Sequence, residues 1–196
     1  KGMVPPKLAR IMVNLAQQPE NAVIWDPFCG SGTILMEGLL LGYTVVGSDI
    51  DKISISESQE NVKWVGNEYW ITNQRYRILQ HDIHDGIPDG VQPDAIVTEP
   101  YLGPVLRKPI SVEQIEKILA EISPLYQSLF SIASQRKTAG NNGTLVVVVP
   151  GFKSHTGWVD MDISSMYKEI TDITHEISKH PLQWDRSHSI IRRNIK

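Results

Sequence analysis

The chain has 196 residues, 41% hydrophobic and 21% charged, which suits a single domain, residues 1 to 196, with a full core and leaves no room for a second. A net charge of −3 argues against a strongly basic nucleic-acid surface over the whole domain, and no charged-then-apolar leader is read at the start. No apolar run approaches the roughly 18 residues of a membrane span, and a single cysteine excludes an internal disulfide and suits a reducing compartment, the cytoplasm.

Leu8, Ile11, Met12 and Leu15 recur at helical spacing behind Pro5-Pro6, a pair suited to a helix start. An apolar run over 22–26 predicts the first strand, and a helix is expected over 31–41, stopped by Gly42. A strand over 44–49, a helix over 52–65 and a strand over 75–79 continue the βαβ alternation, with His81-Asp82-Ile83 just past the strand end. A strand over 94–98 runs into Glu99-Pro100-Tyr101-Leu102, a helix follows over 112–135, and Thr144 to Val149 reads as a buried parallel strand because it is an apolar run rich in β-branched residues. Trp158-Val159-Asp160-Met161-Asp162 is expected to cover the site as a loop. Asp172 to Ile177 and Ser189 to Lys196 are expected to pair as antiparallel strands.

Chemistry concentrates in Asp26-Pro27-Phe28-Cys29-Gly30-Ser31-Gly32-Thr33, where a strand breaks into a glycine turn and then a helix. Two glycines let the backbone approach a ligand with no Cβ in the way, and the helix start presents unpaired N–H groups to it. A phosphate-binding P-loop requires Lys and a hydroxyl after its last glycine, whereas Gly32 is followed by Thr33-Ile34. A dinucleotide fingerprint requires a third glycine where Leu35 stands. The remaining class places a carboxylate, Asp26, at the strand end, where it meets an ammonium group and would repel a pyrophosphate. S-adenosylmethionine carries such an ammonium group. Asp49 lies 19 positions beyond Gly30, close to the ~20 expected for a carboxylate that accepts hydrogen bonds from both ribose hydroxyls, with Asp51 as second candidate. Either acid also suits the cap of the next helix.

Asp-Pro-Phe-Cys-Gly-Ser-Gly-Thr, then Gly47-Ser48-Asp49-Ile50-Asp51, then Asp94-Ala95-Ile96-Val97-Thr98-Glu99-Pro100-Tyr101-Leu102-Gly103 resemble the motif series of class I S-adenosylmethionine-dependent amino-methyltransferases. Pro5 to Ala16 resembles the helix before the first strand in THUMP-associated tRNA guanosine-N2 methyltransferases. The resemblance implies an α/β, Rossmann-like, doubly wound fold: a mostly parallel seven-stranded sheet with an antiparallel C-terminal strand and helices on both faces. It implies that Asp26, Pro27, Phe28, Cys29, Gly30, Ser31, Gly32, Thr33, Asp49, Ile50, Asp82 and Ile83 hold the cofactor, with Asp82 on the adenine amine. A solvated loop acid is the other reading of Asp82.

The family usually carries Asp-Pro-Pro-Tyr where this chain has Glu99-Pro100-Tyr101-Leu102. An exocyclic base amine is a poor nucleophile because its lone pair is delocalised into the ring. The Glu99 carboxylate and the Pro100 carbonyl can each bind one amine proton and hold the nitrogen in line with the methyl sulfonium. Leu102 stands at the usual position of the stacking aromatic, so Tyr101, one position earlier, must take that role or it is unfilled. Three functions follow: methylation of guanosine N2 in tRNA, methylation of adenine N6 in DNA, or an inactive cofactor-binding module supporting a partner. The chain begins without Met and ends at Ile195-Lys196 without a cap, so a fragment of a longer protein is expected, with an N-terminal RNA-binding domain in the parent. Arg107-Lys108 and the group Arg186, His188, Arg192 and Arg193 are candidate phosphate contacts or plain solvated faces. The six histidines show no metal spacing, and no metal is expected.

Overall fold

The computed structural model describes residues 3–135, 143–166, 175–177 and 187–194. The chain runs α1 (Pro6–Leu15), β1 (Val23–Asp26), α2 (Thr33–Leu40), β2 (Thr44–Asp49), α3 (Lys52–Glu68), β3 (Tyr76–Gln80), β4 (Ala95–Thr98), α4 (Val112–Ser134), β5 (Thr144–Lys153), β6 (Trp158–Asp160), β7 (His175–Ile177) and β8 (Ser187–Asn194). Short 3-10 turns, Asn73–Arg75 and Ile83–Asp85, flank β3.

Local chemistry sets the boundaries. Pro6 sits in the first turn of α1, where a missing N–H costs nothing. Asp51 caps α3 by accepting from Ile53 N, and Ser111 and Gln114 form a reciprocal capping box on α4. Gly42, at φ 86°, turns the chain after α2. Gly32 lies at φ 87° as the N-cap of α2, so the helix starts at Thr33 and not at residue 31.

Strand order is β3-β2-β1-β4-β5-β8-β7, with β6 paired to β5 alone. The first five of these run parallel, and β8 is antiparallel to both β5 and β7. Pleating sends alternate residues to opposite faces. Ile24, Val45, Val97, Val146 and Val148 pack with α1, α2 and α3, while Trp25, Val46, Ile96, Val147 and Val149 pack with α4. Helices therefore cover both faces, as parallel sheets require.

One expectation is corrected. Trp158–Asp160 is not a covering loop but a strand, paired antiparallel with Gly151–Lys153, which brings the sheet to eight strands among the described residues where seven were expected. The turn between them is closed by Ser154 N donating to Gly157 O at 2.7 Å and by the Ser154 hydroxyl, with Gly157 at φ 150°. Met161 behind it is buried in the α4-side core. Asp172, Arg186 and Ile195-Lys196 lie outside the described residues; His188, Arg192 and Arg193 are positions of β8. No helix among the described residues is long and apolar enough to cross a membrane.

Candidate functional site

Because β1, β2 and β4 are parallel neighbours, their C-terminal ends bring Asp26, Asp49 and Glu99 to one edge of the sheet. A recess enclosing about 60 Å³ opens there, lined by Asp26, Phe28, Cys29, Gly30, Thr33 and Glu99 among others. Two further lining residues, Met3 and Val4 before α1, were not singled out from sequence. A larger depression of about 500 Å³, which includes Gly42, Trp70 and Arg75, lies at the opposite end of the parallel strands, away from these acids.

The glycine loop is held from below. Cys29 N donates to Ser48 O at 3.0 Å, Gly32 N to Cys29 O at 2.8 Å, and Asn61 Nδ2 on α3 to Ser31 O at 2.9 Å. A Cβ on Gly32 would stand 2.6 Å from Ser58 Oγ, so α3 packs directly under this glycine. At Gly30 the same construction meets nothing within 4 Å, which leaves that face of the loop open to a ligand.

The two acids on β1 and β2 differ in setting. Asp26 is 1% exposed, and its Oδ1 accepts from Thr98 Oγ1 at 2.6 Å and from Phe28 N at 3.1 Å. Burial pushes its carboxyl up to about 7, against those hydrogen bonds, and the negative charges of Asp49 and Glu99 add to the rise. Asp49 is half-buried and braces the loop: Oδ2 accepts from Gly30 N at 3.0 Å and Oδ1 from Asp51 N at 2.9 Å. Asp51 is used as a helix cap, with Ser54 Oγ also donating to it at 3.0 Å. The division between the two acids, open in the sequence, is thus made by geometry: one caps α3 and the other faces the glycine loop.

Cys29 is 5% exposed, and burial followed by the nearby Asp26 charge pushes its thiol well above the ordinary value, which removes thiolate chemistry from the loop. Ile50 is 64% exposed beside Asp49. Asp82 accepts from His84 N at 2.9 Å and so opens the turn after β3, while the Ile83 side chain is buried in the α4-side core. Beyond β4, Pro100 and Leu102 are buried and Tyr101 is 61% exposed. Gly103, at φ 84°, lies where a Cβ would come within 3.0 Å of Phe152 Cζ, which pins the turn against the core. Arg107 and Lys108 are exposed on the loop that follows.

The residues present fit an amino-acid-bearing nucleoside cofactor. The carboxylate at the β1 end, the open face at Gly30 and the Thr33 Oγ1, buried with no hydrogen-bond partner, together offer acceptor, backbone approach and donor at one recess. Sheet order, glycine loop and acidic strand ends define a methyltransferase domain of Rossmann-like architecture.

Within that class, the chain belongs to the family described as RMKL-like, methyltransferase domain, whose model matches residues 1–169. A tRNA (guanine(10)-N2)-dimethyltransferase of Methanothermobacter thermautotrophicus is 39% identical over 120 residues, covering 61% of this chain and 33% of that protein. The chain thus spans about a third of the length of such relatives. Among solved structures, TrmN from Thermus thermophilus superposes with a TM-score of 0.62 at 17% identity over 100% of this chain and 50% of that one. An RNA methyltransferase from Salinibacter ruber, in complex with S-adenosyl-L-homocysteine, gives 0.58 at 15% identity, covering 99% and 94%.

Proposed function

We propose that this domain transfers a methyl group from S-adenosylmethionine to an exocyclic amine of a nucleic-acid base, with guanosine N2 of tRNA as the substrate. The observation that carries the reading is that Glu99 lines the same recess as Asp26 and Gly30, so a base amine beside Glu99 stands next to the amino-acid end of a cofactor on the loop. The names of the relatives favour tRNA over DNA.

Asp26 takes the ammonium group, the loop from Pro27 to Thr33 the amino-acid portion, Asp49 the ribose hydroxyls with Ile50 beside the adenine, and Asp82 and Ile83 the adenine edge. When bound, the cofactor supplies an electrophilic methyl on a sulfonium. The chain supplies acceptors: the Glu99 carboxylate and the Pro100 carbonyl bind the two amine protons, orienting the nitrogen lone pair toward the methyl carbon. These contacts strengthen as the amine becomes tetrahedral and cationic, so they favour the transition state over the flat ground state. With the methyl group supplied by the bound cofactor, Glu99 would take the amine proton that is lost or pass it to water. Exposed Tyr101 stacks on the target base. A longer parent chain with an RNA-binding region before this domain would present the tRNA, and a tRNA substrate suits a cytoplasmic protein.

The test is mass spectrometry of nucleosides after incubation with the methyl donor and unmodified tRNA or DNA. N2-methylated guanosine in tRNA is expected; N6-methyladenine in DNA would favour the rival substrate, and no product on either would favour a non-catalytic module. Glu99→Gln should retain cofactor affinity while turnover falls about 100-fold, since the lost interaction belongs to the transition state. Tyr101→Ala should weaken substrate engagement by about 1 to 3 kcal/mol.

A further inference from the structure

Asp26 is nearly inaccessible, yet its two oxygens are used unequally. Oδ1 accepts both hydrogen bonds, from Thr98 Oγ1 at 2.6 Å and from Phe28 N at 3.1 Å. Oδ2 accepts none among the described residues, and the residue lines the recess. Among the described residues, the charges that bear on it from the neighbouring elements are acidic, Asp49 from β2 and Glu99 from the end of β4, and the Cys29 thiol in the loop is neutral. On the helices over this face, Arg10 of α1 is paired with Glu37 of α2 and Lys7 is exposed, so neither cation is spent on Asp26. A buried carboxylate among acids, with no cation paired to it among the described residues, is costly to ionise.

We propose that Thr98 is a positioning residue for cofactor capture: by tying down Oδ1 it leaves Oδ2 to hold a proton in the cofactor-free protein and to give it up when the ammonium group of the cofactor arrives. The inference rests on the contact between Asp26 and the ammonium group proposed above. The step balances simply. The O–H bond on Oδ2 breaks, its proton passes to the solvent, and the ammonium group keeps its three protons and donates a hydrogen bond to the freed carboxylate. Thr98, through its donated hydrogen bond, stabilises the ionised form and so sets the pH at which the exchange occurs. Binding is therefore coupled to proton release, and affinity falls as pH drops below the value at which Asp26 ionises.

Isothermal titration calorimetry of the whole chain with S-adenosylhomocysteine, which carries the same ammonium group and no transferable methyl, tests this in phosphate and in Tris, whose ionisation enthalpies differ. Near pH 7 about half a proton should be released per ligand bound, rising to about 0.9 at pH 6 and vanishing above pH 8. Thr98→Val should move that profile upward by about one pH unit, because a donor favouring the ionised form is gone. Thr98→Ser, which keeps the hydroxyl, should restore the profile of the parent chain. Equal binding enthalpies in the two buffers at pH 6 and 7, or a Thr98→Val profile superimposed on the parent, would overturn the inference while leaving cofactor binding intact. Failure of the parent chain to bind the ligand at any pH would overturn the cofactor assignment on which it rests.

Discussion

At Asp26, burial and function pull in opposite directions. Its carboxyl is raised from 3.8 to about 7, chiefly by desolvation, so the folded protein holds the proton more tightly than the unfolded chain. A group raised in this way contributes its stabilisation in full below the unfolded value and loses it as pH climbs through the folded value. Asp26→Asn, whose amide is neutral at every pH, escapes that loss. Without cofactor, the variant should therefore gain on the parent chain by about 1 kcal/mol per pH unit between pH 5 and 7, and the gap should level off above pH 7.5. Chemical denaturation across pH reads it directly, and a gap independent of pH would show that Asp26 ionises as readily folded as unfolded. Asp49 is the opposite kind of residue: half-buried, already bonded to two backbone amides, and still open to further hydrogen bonds on its remaining lone pairs. Asp49→Ala should weaken S-adenosylhomocysteine binding by about 1.5 to 3 kcal/mol, through lost ribose contacts and a loosened loop together. Undiminished binding in a calorimetric titration would move the ribose role elsewhere.

Among the elements, the strand–loop–helix unit from Val23 to Leu40 carries the most constraint. Gly32 sits at φ 87° directly over Ser58 of α3. Gly32→Ala should destabilise the domain by about 2 to 4 kcal/mol, combining left-handed strain with a Cβ driven into the Ser58 hydroxyl. Adding Ser58→Ala removes the nearest clashing atom but not the strain, so the double variant should recover part of the loss and no more. Full recovery in urea melts would mean that backbone conformation at residue 32 matters little. The unit was legible in the sequence because glycine, proline and aspartate punctuate it, and because β-branched runs such as Thr144 to Val149 announce strands. What supports it was not legible. Asn61 reaches Ser31 across 30 residues and Thr98 reaches Asp26 across 72, and such pairings leave no periodic trace. Trp158–Asp160 was missed as a strand because only three residues carry its alternation and its partner is the overhanging end of β5.

For the molecule as a whole, charge and chemistry are out of step with the proposed nucleic-acid substrate. A net charge of −3 offers few phosphate contacts, and a base amine inside a duplex must be flipped out, at a cost of a few kcal/mol, before it reaches Glu99. Three acids at the strand ends deepen the mismatch, since they favour a cationic cofactor and repel a polyanion approaching the same edge. Exposed Arg107 and Lys108, just beyond the Glu99 turn, are the nearest basic pair in sequence to the reacting atoms. The 196-residue chain is therefore expected to bind cofactor with little salt dependence but tRNA only weakly, with a Kd in the range of about 1 to 100 μM, loosening steeply between 50 and 200 mM salt. Replacing Arg107 and Lys108 by Ala should flatten that salt dependence without touching cofactor affinity, because their contribution is phosphate contact alone. Filter binding across a salt series checks both. Tight, site-specific tRNA binding at physiological salt would show instead that these 196 residues hold a complete recognition surface and that the acidic strand ends are shielded from the RNA.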